Sequence, residues 1–280
     1  MIELNLINIV GIIFAGLLIG FLSGALGVGG GFLMTPILRI IFGIPYNLAV
    51  GSGLIAITFT SLYGAFRHYK LQHTNIKLGI ITLIGMFPGV EIGARILNEL
   101  KSNSTTMDIV LNLCYLILLS LAGFIMLIEY LKWLKENKAP VDLCNYKINY
   151  YFFSKEKDPN SINIFFLSLC GFFIGILQGL LGVGGGFILI PILVYTFHIP
   201  AAIVVGTSLF IISPSSAFGG ISHIFKGNVN FILVLLILSG SLIGSFVGSQ
   251  LIEKIRGKKI RLYFIFVILL GIIMILLKIK

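Results

Sequence analysis

The sequence predicts an all-α polytopic membrane protein made of two homologous five-segment repeats, and three observations lead to this fold class. Hydrophobic residues make up 58% of the 280 residues and charged residues only 11%, a composition that excludes an ordinary soluble domain. Continuous apolar runs of about 20 residues, enough to cross a bilayer as a helix, recur along almost the whole chain. Because these runs do not alternate with polar residues, they disfavour a transmembrane β-barrel. The third observation is an internal repeat.

The repeat relates the two halves of the chain. The hexapeptide at 27–32, Gly-Val-Gly-Gly-Gly-Phe, recurs letter for letter at 182–187, an offset of 155 residues (182 − 27). Without a gap, the same offset pairs Gly20 with Gly175, Gly24 with Gly179, Pro36 with Pro191, Pro45 with Pro200, Gly51 with Gly206 and His68 with His223. Chance similarity between apolar stretches does not align so many residues of these types. We therefore predict a first repeat at 1–131, a polar cytoplasmic linker at 132–160 and a second repeat at 161–280.

Each half contains five hydrophobic segments, of which the second is too short to cross a membrane as a helix. The predicted segments are 6–26, 32–42, 46–66, 76–98 and 108–131, followed by 161–181, 187–197, 201–224, 229–252 and 261–277. A helix as short as the second segment extends only about 16 Å, roughly half of the hydrocarbon core. An extended Gly run before it, at 27–31 or 182–186, adds about 16 Å. Each half is therefore expected to contain a broken membrane-spanning segment.

The positive charges indicate how the segments are oriented. Most of the 20 Lys and Arg residues lie in loops, where they mark the cytoplasmic side, so no nucleic-acid partner is expected from the net charge of +10. The basic loop follows the third segment in the first half (Arg67, Lys70, Lys77) but the fourth segment in the second half (254–261). With both loops in the cytoplasm, the halves have opposite orientations and the chain crosses ten times. Re-entrant Gly hairpins, the alternative, would place the loop at 254–261 outside.

The Gly-rich breaks are the strongest candidates for a functional site. Non-helical backbone inside a membrane is tolerated only where it is buried in protein or lines a polar cavity. The half-helix after each break offers unpaired N–H donors and roughly half a positive charge at its N-terminus. Two such termini at one cavity would bind an anion. The alternative, that glycine only permits close helix packing, is favoured for the glycines spaced four apart at 85–93 and 240–248.

Hydroxyl, amide and ionisable side chains complete the predicted site. The residues predicted to bind substrate are Gly27, Gly29, Gly30, Gly31, Gly182, Gly184, Gly185, Gly186, Gln178, Ser52, Thr207 and Ser208. Each hydroxyl among them can donate to a bound oxyanion or to its own helix backbone. His68 and His223 are candidates for proton coupling or gating, or are repeated helix caps. Glu91 is a further proton-carrying candidate, although its spacing from Arg95 also fits a structural i, i+4 ion pair.

The motifs of enzymes and cofactor sites do not occur in the sequence. Ser52 and His68 lie on one predicted helix about 24 Å apart, too far for a hydrolytic pair, so we predict no catalytic residues and no enzyme. The Gly runs lack the last Gly of a dinucleotide fingerprint and the Lys of a P-loop. Cys114, Cys144 and Cys170 have no CxxC spacing, which argues against a metal site or a disulfide framework. We therefore expect no cofactor and no metal.

Two copies of the pattern G-x-L-x-G-x-L-G-V-G-G-G-F-x-x-x-P-I-L, beginning at Gly20 and Gly175, resemble the TauE/SafE family of membrane proteins, the sulfite exporter family. The resemblance implies a secondary transporter in the plasma membrane that exports or imports its substrate, with export as the expected direction. It implies small sulfur-containing anions such as sulfite or organosulfonates as substrates, proton coupling, and site-forming glycines at 27–31 and 182–186. A carboxylate-type anion as substrate, and a non-transporting accessory or sensor protein, are the alternatives. The expected partners are the anion and the lipid bilayer, and a homo-oligomer stays open.

Overall fold

The computed structural model of the chain consists of long helices joined by short connections. It describes residues 5–135, 149–151, 161–197, 199–251, 266, 268–269 and 271–276. The elements are α1 (Leu6–Leu26), α2 (Gly31–Ile40), α3 (Tyr46–Lys70), α4 (Ile76–Leu100), α5 (Ser104–Lys135), β1 (Asn149–Tyr151), β2 (Ser161–Asn163), α6 (Ile164–Leu181), α7 (Gly186–Pro191), a π-helical turn (Ile192–Thr196), α8 (Ala201–Phe225) and α9 (Phe231–Leu251). The described part of the predicted segment 261–277 is helical. The rest of that segment, and most of the predicted linker, lie outside the described residues.

The long helices make this a helical membrane protein, as the sequence predicts. Seven of the described helices, namely α1, α3, α4, α5, α6, α8 and α9, are long and apolar enough to cross a membrane. The exposed residues on them include large apolar side chains such as Phe14, Phe124 and Phe173, which suit contact with lipid. The helices α2 and α7 are shorter, with 10 and 6 residues. They are the half-helices that follow the two Gly runs.

Several element boundaries differ from those expected: α3 ends four residues later than predicted, and α5 extends four residues beyond its predicted segment at each end and into the predicted linker. The predicted segment 161–181 begins with β2, which pairs in parallel with β1, and α6 begins only after Asn163, whose side chain accepts a hydrogen bond from the N–H of Phe166 at 3.1 Å. The predicted segment 187–197 is not one helix, because α7 ends at Pro191 and a π-helical turn follows. Proline has no N–H and its ring clashes with the carbonyl four residues earlier, but Pro36 lies at the corresponding place in α2 without a π turn, so proline alone does not account for the turn.

Glycines bring two pairs of helices into backbone contact: α1 with α9, and α4 with α6. A Cβ on Gly24 of α1 would overlap the backbone of Ser245 of α9, and a Cβ on Gly89 of α4 would overlap that of Phe172 of α6. Close backbone approach is a common use of glycine between membrane helices. The packing role predicted for the glycines at 85–93 and 240–248 is confirmed, because a Cβ at any of them would overlap the backbone of the facing helix.

The contacts between these helices recur at the offset of 155 residues. Gly20 faces Ser241, and their counterparts, Gly175 and Met86, face each other. Three other contacts recur in the same way, each with both residues shifted by 155: Gly24–Ser245 and Gly179–Val90, Gly85–Ser168 and Gly240–Ile13, and Gly51–Asn228 and Gly206–His73. Helices from the first half thus pack chiefly on helices from the second half.

The third helices of the two halves, α3 and α8, pack against each other at the centre. Glycines again permit the approach, since Gly64 of α3 accommodates Leu209, and Gly219 of α8 accommodates Leu54. The buried core also contains the rings of Phe32 and Phe187, the second residues of the two half-helices, which stack with their centroids 5.5 Å apart. This central packing holds the two Gly runs in the middle of the bundle.

Candidate anion site at the paired helix breaks

Both helix breaks are built from glycines in the left-handed region of backbone conformation. In the first break Gly27, Gly29 and Gly30 have φ of 72°, 80° and 69°, and their counterparts 182, 184 and 185 have φ of 70°, 74° and 73°. Residues with a Cβ rarely adopt such angles. The first glycine of each run ends the helix before it, and the last of the three precedes the helix after it. The Gly runs are therefore breaks between helices, as predicted, but the predicted extended conformation is wrong, because these glycines adopt left-handed conformations and Gly31 and Gly186 already belong to the following helices.

The structure brings the two breaks into contact with each other. A Cβ on Gly31 would overlap the carbonyl oxygen of Gly182, and a Cβ on Gly186 would lie 2.7 Å from the carbonyl oxygen of Val28. The helices α2 and α7 therefore begin side by side, each directing its first N–H groups toward the region of the breaks. All eight glycines of the predicted site belong to this one region.

A small cavity adjoins the first break. Its volume is about 10 Å³, which is enough for about one water molecule. The cavity is lined by Ile19, Gly20, Ser23, Gly29, Gly30, Met34, Gly53, Ala56, Ile57, Thr60, Ile237 and Ser241. Among the described residues, the buried hydroxyls of Ser23 and Ser241 have no hydrogen-bond partner. Part of the cavity wall is therefore polar, and two hydroxyl groups in it can donate hydrogen bonds to an acceptor inside the cavity.

Two of the predicted polar residues lie directly at the breaks. Ser208 of α8 donates through Oγ to the carbonyl oxygen of Gly27 at 2.8 Å, and so pairs a carbonyl in the first break. Gln178 of α6 lies one helical turn before the second break, where its Nε2 donates to Oγ of Ser216 at 2.8 Å. Both side chains are fully buried. The structure thus gives each of them a place in the broken region.

Ser52 and Thr207, by contrast, have partners away from the glycines. The hydroxyl of Ser52 accepts from the N–H of Asn230 at 3.0 Å, and that of Thr207 accepts from the N–H of Asn75 at 2.9 Å. Each asparagine directly precedes α9 or α4, so both hydroxyls join the central helices to the start of a helix in the other half. The structure therefore gives them a packing role that competes with the predicted substrate contact.

Three residues at the breaks were not found from the sequence. Tyr115 of α5 donates its hydroxyl to the carbonyl oxygen of Leu181, the last residue of α6, and thereby satisfies a helix end that the second break leaves unpaired. Ser23 and Ser241 are the other two. The repeat could have pointed to them, because at the offset of 155 Ser23 corresponds to the larger Gln178 and Ser241 to the larger Met86.

His223 belongs to a buried hydrogen-bond network that reaches the helix before the second break. Its Nε2 lies 3.0 Å from the carbonyl oxygen of Gly179, and because a carbonyl only accepts, Nε2 carries the proton. Its Nδ1 then accepts from Nδ2 of Asn228 at 3.4 Å. The amide oxygen of Asn228 accepts from Nζ of Lys101 at 2.9 Å. A chain of hydrogen bonds therefore joins a loop cation to the end of α6.

His68 has the corresponding position in the first half but different neighbours. It is also buried, and its Cβ lies 3.0 Å from the place that a Cβ on Gly206 would take. His223 is hydrogen-bonded by Asn228, whereas the residue that corresponds to Asn228 beside His68 is His73. The ring centroids of His68 and His73 are 6.0 Å apart. The histidines match in register and in burial but not in their partners.

Glu91 lies in a cluster of cations and a hydroxyl that connects α4 with α8. Its Oε1 accepts from Nε of Arg95 at 2.8 Å, which confirms the predicted i, i+4 pair. Nζ of Lys226 lies 3.1 Å from the same oxygen, and Oγ of Ser222 donates to Oε2 at 2.6 Å. Neither Ser222 of α8 nor Lys226, which directly follows α8, was predicted as a partner, because the contact depends on tertiary packing. Three donors around one carboxylate suit a permanent ion-pair network.

Together, the fold and the paired breaks define a multi-pass helical membrane protein with a polar region inside its bundle. The sequence model of one family, described as Sulfite exporter TauE/SafE, matches residues 12–275. The chain belongs to this family of membrane transporters.

Several relatives resemble the chain along most of its length. It is 28% identical over 256 residues to Probable membrane transporter protein YunE of Bacillus subtilis, covering 88% of this chain and 89% of that one. It is 29% identical over 269 residues to Probable membrane transporter protein MJ0441 of Methanocaldococcus jannaschii, covering 90% and 89%. A shorter match, 25% identical over 112 residues, is to Sulfite exporter TauE/SafE family protein 3 of Arabidopsis thaliana and covers 39% of this chain and 23% of that protein. No solved structure matches the chain significantly.

Proposed function

We propose that this transporter is a secondary carrier that exports small sulfur-containing anions, such as sulfite or organosulfonates, across the plasma membrane. The observation that carries the proposal is the contact between the two Gly breaks. It gathers the positive N-termini of α2 and α7 in one buried region, and such termini stabilise negative charge. The family and its name supply the sulfur-containing class of substrate.

We propose further that the two halves form an inverted repeat around this site. The recurrence of contacts at the offset of 155 supports a two-fold relation, because the glycine contacts described above between the two halves each have a partner with the halves exchanged. The basic loop follows the third segment in the first half but the fourth segment in the second half. This difference supports opposite orientations of the two halves in the membrane. Secondary transporters of this kind bind substrate where their repeats meet.

Transport would then proceed by rocking of one group of helices against the other, coupled to protons. We assign the gating role to His223, since its network reaches both a loop lysine and the helix before the second break. Protonation of Nδ1 would remove its acceptor and break the bond from Asn228. His68 would take the same role on the opposite side. We assign Glu91 to a structural ion-pair network rather than to proton transfer.

Flux of sulfite into proteoliposomes that contain the purified protein tests the proposal. We expect saturable flux that responds to an imposed pH gradient. Replacing Gly29 and Gly184 by Leu should abolish it, because the side chains would occupy left-handed positions inside the breaks. Gly43→Leu is the matched control, since Gly43 also has a positive φ but nothing within 4 Å of an added Cβ.

Each result has a separate meaning. Unchanged sulfite flux in the double Leu variant would reject the site. Flux of short carboxylates without flux of sulfite or sulfonates would reject the class of anion. Flux that ignores the pH gradient would reject proton coupling, and absence of saturable flux for every anion would reject the carrier itself.

A further inference from the structure

The cavity at the first break exists because its lining is smaller than the corresponding lining in the second half. Four lining residues have larger counterparts at the offset of 155: Ser23 corresponds to Gln178, Gly53 to Ser208, Ala56 to Ile211, and Ser241 to Met86. Thr60 and Ile237 are larger than their counterparts, Ser215 and Thr82, but do not compensate for the other four. Chemically, therefore, the two breaks are not copies of each other.

The hydroxyls of Ser23 and Ser241 make the first break a place for an acceptor. The side chains are only 1% and 3% exposed, and among the described residues neither Oγ has a hydrogen-bond partner. Both line the cavity together with Gly30, the residue that precedes α2. Cβ of Ser23 is 3.2 Å from the place that a Cβ on Gly30 would take. Two unpaired buried hydroxyls at the N-terminus of a ten-residue helix can both donate to one oxygen acceptor, and the helix terminus favours a negatively charged one.

At the second break two longer side chains, Gln178 and Met86, lie at the corresponding place. Gln178 donates through Nε2 to Ser216, and its Oε1 lies 3.9 Å from the position of a Cβ on Gly185, the residue that precedes α7. The methyl end of Met86 lies 2.8 Å from the same position. An amide oxygen accepts hydrogen bonds and does not donate them. The second break thus presents an amide group and a methyl group, and the amide oxygen has no hydrogen-bond partner among the described residues, where the first break presents two hydroxyls.

We propose that the transported anion binds at the first break alone, with one of its oxygens held between the hydroxyls of Ser23 and Ser241, whereas Gln178 and Met86 close the second break. This assignment rests on the proposed function, since it places the anion of that function at one of the two breaks. The cavity volume of about 10 Å³ accommodates one terminal oxygen of the anion. An oxoanion that presents a terminal oxygen, as sulfite and the sulfonates do, meets this requirement.

The repeat itself supplies the variants that test the proposal. Ser23→Gln and Ser241→Met give the first break the residues of the second, and the chain already accommodates those residues at the equivalent positions. Ser23→Ala and Ser241→Ala remove one oxygen each and keep the cavity open. Ser239→Ala is the matched control, because Ser239 lies on the same helix, is exposed and donates to its own helix backbone at 2.8 Å.

The readout is the Kd of sulfite for the full-length protein in detergent, from isothermal titration, with size-exclusion profiles and ligand-free melting temperatures as checks on folding. We expect each Ala variant at the cavity to bind about 10-fold more weakly or worse, since each loses a hydrogen bond to a charged group. The Gln and Met variants should lose binding altogether, and Ser239→Ala should bind like the wild type.

The outcomes separate this proposal from the function on which it rests. If the wild type binds sulfite and the Ser23→Ala and Ser241→Ala variants bind it equally well, the assignment to the first break is wrong while the transporter proposal stands. If the wild type binds neither sulfite nor any sulfonate tested, both proposals are overturned. Should Ser23→Gln or Ser241→Met fail to fold, the Ala variants decide the question.

Discussion

A single methyl group at Gly16 should force α1 away from α9. A Cβ at this position would lie 2.7 Å from the carbonyl oxygen of Ile237 and 3.3 Å from the N–H nitrogen of Ser241. Ordinary contacts of a Cβ begin at 3.4 Å. Because the oxygen belongs to the backbone of a helix, it cannot rotate aside as a side chain would, and the Gly16→Ala change must move the helices apart by about 0.7 Å.

The expected cost follows from two opposing effects. Inserting a group into a well-packed contact typically costs about 1–3 kcal/mol. Alanine is a better helix former than glycine by about 1 kcal/mol, which offsets part of that loss. We therefore expect Gly16→Ala to lower the free energy of unfolding by up to about 2 kcal/mol.

Unfolding of the purified protein by a denaturing detergent, followed by circular dichroism, measures this change. The control is Gly53→Ala, also within a helix, where the atoms nearest to an added Cβ are Oγ1 of Thr35 at 3.9 Å and Cγ of Met34 at 4.0 Å. It should be neutral or stabilising, since it gains helix propensity without a clash. Equal unfolding curves for the two variants would show that backbone contact between α1 and α9 does not control stability.

Three further changes test other parts of the structure. Glu91→Gln should lower the free energy of unfolding by about 1.5–3 kcal/mol, measured by the same titration, and leave the pH dependence of flux unchanged; a lost pH response would make Glu91 a proton carrier after all. Tyr115→Phe leaves a buried carbonyl at the second break unpaired and should destabilise by about 1–3 kcal/mol, whereas an unchanged melting temperature would contradict the hydrogen bond. In a variant without native cysteines, an impermeant maleimide applied to intact cells should label Lys101→Cys but not Lys70→Cys, and the reverse pattern would refute the proposed orientation.

Residues with strong local preferences made much of the fold predictable from the sequence. Helix α1 has the predicted bounds, 6–26, because Gly27 can adopt the left-handed conformation that ends it. The helices α3 and α8 both begin directly after a proline, Pro45 or Pro200, as the repeat predicts. The turn after α7 was not predictable, because Pro191 and its counterpart Pro36 lie in equivalent helices, and only α7 gives way to a π-helical turn.

The candidate site was predictable only where backbone chemistry defines it. Consecutive glycines indicate a break from their sequence alone, and both breaks were found. Which hydroxyls lie at the breaks depends on tertiary packing: Ser52 looked equivalent to Ser208 as a donor, yet Ser52 bonds to the backbone of Asn230 and Ser208 to that of Gly27. No local pattern could bring Ser23 and Ser241 together, since only the packing of α1 on α9 does so.

The packing of α1 on α9 also connects stability with binding, and the repeat provides a way to separate them. A Cβ at Gly16 would clash with the backbone of α9, and a Cβ at its counterpart Gly171 would clash with the backbone of α4, so an Ala at either position should destabilise the protein. Only Gly16→Ala parts the two helices that carry Ser23 and Ser241. If the anion binds at the first break, Gly16→Ala should weaken sulfite binding more than Gly171→Ala at equal loss of stability, and an equal loss of affinity would assign the anion to both breaks.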